Sequence, residues 1–273
     1  MNRYTWRTGV REGTMWILAL LFVLPIYLLF NMAFGNGTTQ AHPLVPTGHP
    51  TFHNFTQAWH TGDLGPSLLI SLFVTVSSIA FTVILSAYAA YPLARITATW
   101  SRAVFYLVML GLILPFFIAL IPLYQTMHTL GLLGTPYALI VLYIGHQFPL
   151  SVFLYVGFLR ALPRDYEESA LLDGCTPARA FISVVLPMLR PVTGTVVILN
   201  AVQIWNDFLT PLLFLGTGRY KTLPISIYTF VGEYTAQWPL VFAGIVICIL
   251  PLLVVYFAMQ RRIMRGFSSG LKG

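Results

Sequence analysis

Charge is scarce in this chain: only 8% of its 273 residues are Asp, Glu, Lys or Arg, and just 8 of them are acidic. Soluble domains carry about 25% charged residues, so a water-facing surface over most of the chain is excluded. Cysteine is nearly missing too, with 2 residues. Cys175 falls in a polar connection and Cys248 inside an apolar run, so they cannot pair and no disulfide framework exists. No nucleophile–base pair, metal triad or glycine-rich dinucleotide loop is found, which argues against catalysis within the chain and against a resident cofactor. The segment Gly216-Thr217-Gly218-Arg219-Tyr220-Lys221-Thr222 lacks the glycine before the lysine that a phosphate-binding loop needs, so ATP is not expected to bind here. His42, His49, His53 and His60 lie in a stretch rich in Gly, Pro and Thr. His49 and His53 are four apart, but Pro50 breaks a shared helix between them and no Cys or Glu joins the set, so they read as solvated loop histidines rather than zinc ligands.

What the chain has in quantity is apolar length: 57% of its residues are hydrophobic and its mean hydropathy is +0.78. Runs of about the ~20 residues needed to cross a bilayer fall at about 14–34, 67–93, 103–125, 137–159, 192–215 and 239–259. The sequence therefore predicts an all-α polytopic membrane protein with six spans, a short N-terminal segment 1–13, a connection 160–191 and a tail 261–273. The first run is too long for a signal core and lacks an A-x-A cleavage site, so it reads as an uncleaved span. Of 15 Lys and Arg residues, all but Arg219 and Lys221 fall on one side of this arrangement. By the positive-inside rule both termini are cytoplasmic and the protein is multi-pass in the inner or plasma membrane. Anionic lipid headgroups account for the net charge of +7, and no nucleic acid needs to be invoked.

The connection Arg160–Pro191 has the grammar of two short helices meeting at a bend. Pro163 suits a first helical position, and Asp165, Glu167 and Glu168 fall where carboxylates favour the positive end of a helix dipole. Gly174 can take the left-handed conformation that ends a helix. Thr176 and Pro177 then supply an N-cap and first position for a second helix. Ser169, Ala170, Leu171 and Leu172 give the first helix a ridge for a partner's groove.

Polar side chains concentrate in the fifth run. Asn200, Gln203 and Asp207 are spaced three and four apart and share one helix face, with Trp205 and Asn206 beside it. A charge at membrane depth faces water or a partner, so this set either lines a path for a hydroxyl-rich solute or hydrogen-bonds to neighbouring helices. His146 and Gln147 in the fourth run are further candidates. An ion-coupled transporter using Asp207 is the rival reading, but the paired, internally repeated halves common in such proteins are not found.

Glu168-Ser169-Ala170, Asp173-Gly174, Phe181 and Leu186-Pro187 resemble the EAA loop of ABC-importer permeases. The chain departs from that pattern in having Ser169 for the first Ala and Val184 where Ile is usual. Ala90-Tyr91-Pro92-Leu93-Ala94-Arg95, Gly131-Leu132-Leu133-Gly134-Thr135, Trp205-Asn206-Asp207-Phe208 and Arg265-Gly266-Phe267-Ser268-Ser269-Gly270-Leu271-Lys272-Gly273 are similar to the MalG type of carbohydrate importer subunit. The resemblance implies the MetI-like permease fold, with a coupling helix between spans four and five. Glu168, Ser169, Ala170, Asp173, Gly174, Leu186 and Pro187 would carry the coupling, with Gly270 and Lys272 of the tail against the ATPase. It also implies the partners: a second, MalF-like permease, two cytoplasmic MalK-like ATPase subunits that hold ATP and Mg, membrane lipid, and an extracytoplasmic binding protein that delivers a carbohydrate.

Overall fold

The computed structural model describes residues 6–36, 42–216, 218–232 and 236–270, and among them the regular secondary structure is helical, with one isolated bridge between Val231 and Ala236. In order the helices are α1 (Trp6–Ala33), α2 (His53–Thr61), α3 (Leu64–Arg95), α4 (Thr99–Ile113), α5 (Phe116–Thr129), α6 (Pro136–Ala161), α7 (Asp165–Leu172) and α8 (Pro177–Ala180). A π-helical turn, Phe181–Val185, leads into α9 (Leu186–Met188), then α10 (Arg190–Asn206), α11 (Leu209–Leu215), α12 (Leu223–Tyr228) and α13 (Trp238–Gly270).

Helices α1, α3 and α6, of 28, 32 and 26 residues, are long and apolar enough to cross a bilayer, since a helix rises about 1.5 Å per residue. Two further expected spans are broken helices in the structure. The expected single span at 103–125 is two helices, α4 and α5, bent by 99°. Leu114 and Pro115 are extended there, with ψ of 122° and 115°, because a residue before proline is disfavoured in the helical region and proline fixes its own φ. The expected span 192–215 is likewise interrupted: α10 stops at Asn206 and α11 starts at Leu209. Pro211 has no N–H to bond the carbonyl of Asp207, and its ring would clash with it. Upstream, the 177–188 segment meets α10 at 69°.

The chain divides into two compact units, 1–66 with 223–251, and 67–222 with 252–273. In the first, the stretch expected as a bare loop holds α2, which begins after His49 and Pro50. Asn54 ties it down by donating to Ala33 O (2.9 Å) and Gly35 O (2.7 Å), and Phe34, Phe52 and Phe55 cluster at 4.8–6.0 Å between ring centroids. Asn31 organises the incoming chain, donating to Pro43 O and Val45 O, both at 2.8 Å, and accepting from Thr47 N at 2.9 Å.

The core of the second unit gathers Ala87, Ala90 and Leu93 of α3, Val152, Tyr155, Val156 and Leu159 of α6, and Phe181, Val185, Leu189, Val192 and Val196. Alanines at the α3 contact let the backbones approach, the usual device where lipid supplies no hydrophobic drive between helices. Tyr155 OH donates to Thr193 Oγ1 at 2.9 Å within this core. A Cβ at Gly111 of α4 would stand 2.7 Å from Pro149 Cγ of α6, so only glycine permits that crossing.

Candidate functional site

The break between α10 and α11 borders a cavity of about 300 Å³ in the second unit, its surface mostly apolar and aromatic with several polar side chains set into it. Asp207 sits at the break. Its Oδ2 accepts from Tyr143 OH at 3.0 Å and its Oδ1 from Thr210 N at 3.3 Å, so the carboxylate both caps α11 and fastens it to α6. Gln203 and Asn206 complete one wall, and Asn206 also donates to Val202 O at 2.8 Å. The opposite wall comes from the other break: Phe116 and Phe117 follow Pro115, and the His146 ring stacks on Phe116 with centroids 4.1 Å apart. Gln147, also lining, is buried. His146 and Phe116 border a second, largely apolar cavity of about 380 Å³ as well.

Part of the predicted polar face is corrected. Asn200 is 1% exposed and donates to Ser151 Oγ of α6 at 3.3 Å, so it joins helices and does not line the cavity. Trp205 is buried and likewise absent from the lining. The helix ends at Asn206, so Asp207 leaves the stripe that an unbroken helix would have continued. The aromatic surface is instead Phe116, Phe117 and Tyr143.

The elbow's bend and second cap form as the sequence predicts, but Pro163 does not open α7: it lies two residues before Asp165, outside the helix. Gly174 has φ +85°, and Cys175 N→Ala170 O and Gly174 N→Leu171 O, both at 3.0 Å, close α7 in the glycine-terminated pattern. Thr176 Oγ1 accepts from Arg179 N at 3.3 Å and caps α8. Glu168, Ser169, Leu171, Leu172 and Asp173 are exposed, Leu172 at 89%. Ala170 is only 8% exposed, so it packs against its own chain and is not part of the ridge. Leu186 is partly buried against the core, and Pro187 is exposed just after the π-helical turn.

Residues 82–269 match the family described as binding-protein-dependent transport system inner membrane component. The chain belongs to that family. It is 32% identical to the melibiose/raffinose/stachyose import permease protein MelC of Bacillus subtilis (strain 168), over 93% of this chain and 92% of that one. It is 34% identical to the diacetylchitobiose uptake system permease protein NgcG of Streptomyces coelicolor (strain ATCC BAA-471 / A3(2) / M145), over 96% and 88%. Its fold matches a chain in the crystal structure of a bacterial ABC transporter involved in the import of the acidic polysaccharide alginate, with TM-score 0.83 and 20% identity over 96% of this chain and 99% of the other.

The chain is therefore an inner membrane component of a binding-protein-dependent transport system, a transport subunit, and the ion-coupled reading gives way. Within it, sequence reasoning missed Tyr143, Phe116, Phe117 and Thr210. The signals were present: Tyr143 lies three and four positions before His146 and Gln147 on α6, and Pro115 and Pro211 each announce a break that turns neighbouring side chains into a cavity. The resemblance assigns the coupling carboxylate to Glu168, and the structure distinguishes it from its neighbour Glu167. It is Glu167 that is buried, 8% exposed, while Glu168 faces outward. At the tail, Gly270 is the last described residue of α13, and Lys272 lies outside the described residues.

Proposed function

We propose that this chain is one of two permease subunits of an ATP-driven importer and forms, with a second permease, a path for an uncharged carbohydrate delivered by an extracytoplasmic binding protein. The observation that carries the reading is the cavity at the two helix breaks, where polar side chains are set among aromatic ones: broken helices at membrane depth are tolerated where they line a cavity. Asp207, Asn206, Gln203, Gln147 and His146 offer hydrogen bonds, and Phe116, Phe117 and Tyr143 offer aromatic surface for a sugar ring. One carboxylate and no lysine or arginine line the cavity, which favours a neutral, hydroxyl-rich solute over an acidic one.

Six crossings follow if α4–α5 and α10–α11 each make one broken span and α13 makes the last. Both termini and the elbow then face the cytoplasm, and the elbow docks on one of two ATPase subunits that bind ATP and Mg. Glu168, Ser169, Leu171 and Leu172 form its contact ridge, Asp173 and Gly174 fix the bend, and Leu186 and Pro187 join it to α10. The tail with Gly270 and Lys272 lies against the ATPase. Catalysis of ATP hydrolysis belongs to those partners.

A photo-crosslinker on Leu172→Cys, in a chain with Cys175→Ser and Cys248→Ser, tests this. In the assembled complex the ATPase is expected as the main adduct. Adducts only to lipid or to a second copy of this chain would overturn the elbow's assignment.

A further inference from the structure

The motif Tyr91-Pro92-Leu93-Ala94-Arg95 closes α3, and its two polar side chains converge on the elbow. Arg95 Nε donates to Glu167 Oε1 at 2.8 Å and Nη2 donates to the same oxygen, while Nη1 and Nη2 both reach Leu162 O at 3.2 Å. Tyr91 OH donates to Glu167 Oε2 at 3.1 Å, and Arg164 Nη2 returns a bond to Arg95 O at 3.1 Å. The Arg95 and Glu167 side chains are 11% and 10% exposed. The same turn of α3 grips the far half of the elbow: the Phe181 ring lies 4.7 Å from that of Tyr91 and 5.1 Å from that of Tyr88.

A buried ion pair of this kind is weak evidence for stability, because desolvation offsets much of its attraction. What it does supply is geometry. Arginine's planar fork holds a carboxylate and a carbonyl in one fixed arrangement, which a lysine cannot reproduce. Six hydrogen bonds and two ring contacts join the end of α3 to the elbow, so a shift of α7 is transmitted to α3.

Resting on the reading of the elbow as the ATPase dock, we infer that Arg95 and Glu167 are positioning residues that make α3 a driven element of the transport cycle. Force received at α7 then enters the bundle through α3 as well as through the chain-linked α6 and α10. Glu167, not the exposed Glu168, is the carboxylate of that joint.

The test uses the complete importer in proteoliposomes, with solute moved per ATP hydrolysed as the readout. Arg95→Ala is expected to lower that ratio at least tenfold while the ATPase still co-purifies. Arg95→Lys and Glu167→Gln, which keep a charge or a hydrogen bond and fold more readily, are expected to lower it several-fold. The exchanged pair Arg95→Glu with Glu167→Arg is expected to recover to within about threefold of the wild type. Assembled Arg95→Lys and Glu167→Gln complexes with the wild-type ratio would overturn the inference, and so would an exchanged pair no better than either single change. Loss of the ATPase from the wild-type complex would instead sink the docking reading on which the inference rests.

Discussion

Removing the Asp207 carboxylate separates two roles that the structure gives one side chain. Asp207→Ala deletes the acceptor of Tyr143 OH and the cap on Thr210 N. Measured hydrogen bonds between membrane helices average about 0.6 kcal/mol, with the strongest about 1.7. Loss of a helix cap costs about 1 kcal/mol, and at 3.3 Å this cap is a long one. The Tyr143 hydroxyl, on a residue only 3% exposed, loses that partner in a place where water replaces it poorly. Together these place the cost at about 1.5–3 kcal/mol, or roughly a 3–6 °C lower unfolding midpoint for a chain of this size. Asp207→Asn keeps an oxygen for the cap and a hydrogen-bonding partner for Tyr143, so its midpoint should fall by no more than about 2 °C on the same scale. Thermal unfolding of the purified complex in detergent, paired with uptake assays, reads both. If the carboxylate serves the solute, Asp207→Asn folds normally yet raises the concentration for half-maximal uptake. Equal melting of the Ala and Asn variants, or wild-type uptake by both, would refute the reasoning.

At Gly174 the left-handed backbone matters and space does not, since a Cβ there meets no atom within 4 Å. Asn, which tolerates that conformation, should retain most transport, whereas Ala should lose about 1–2 kcal/mol of elbow stability, read as faster proteolysis of the 165–180 segment. Gly111→Leu, at a residue that borders the apolar cavity together with Pro149, should cost about 1–3 kcal/mol by overpacking against that proline and lower the unfolding midpoint. Glu167→Ala, which strands a partly buried arginine, should destabilise the protein by about 2–4 kcal/mol, below the full cost of an unpaired buried charge. Glu168→Ala should leave melting unchanged while reducing solute-stimulated ATP hydrolysis, because Glu168 is exposed on the proposed docking ridge.

Local signals carried far in this chain. The apolar runs located the long helices, and Gly174, Thr176 and Pro177 fixed the elbow's bend, because caps and left-handed glycines act over a few residues and are written in residue type. What failed depended on neighbours. Helical spacing put Asn200 and Asp207 on one face, but Pro211 ends that helix, and packing against Ser151 turned Asn200 into a tie between helices. Glu167 and Glu168 are adjacent and chemically alike; only the position of Arg95, 72 residues earlier, decides which is buried. The aromatic wall from Phe116 and Phe117 required the 99° break at Pro115, whose angle no periodicity encodes.

The most direct test of the coupling account is co-purification of the tagged chain from native membranes in mild detergent, with and without Gly174→Arg. That change strains a residue at φ +85° and sets a long cation on the exposed elbow. The account predicts that the wild type brings down a second permease and an ATPase, and that the variant keeps the permease and loses the ATPase. Recovery of the wild-type chain alone or as a homo-oligomer, or full retention of the ATPase by the variant, would contradict it.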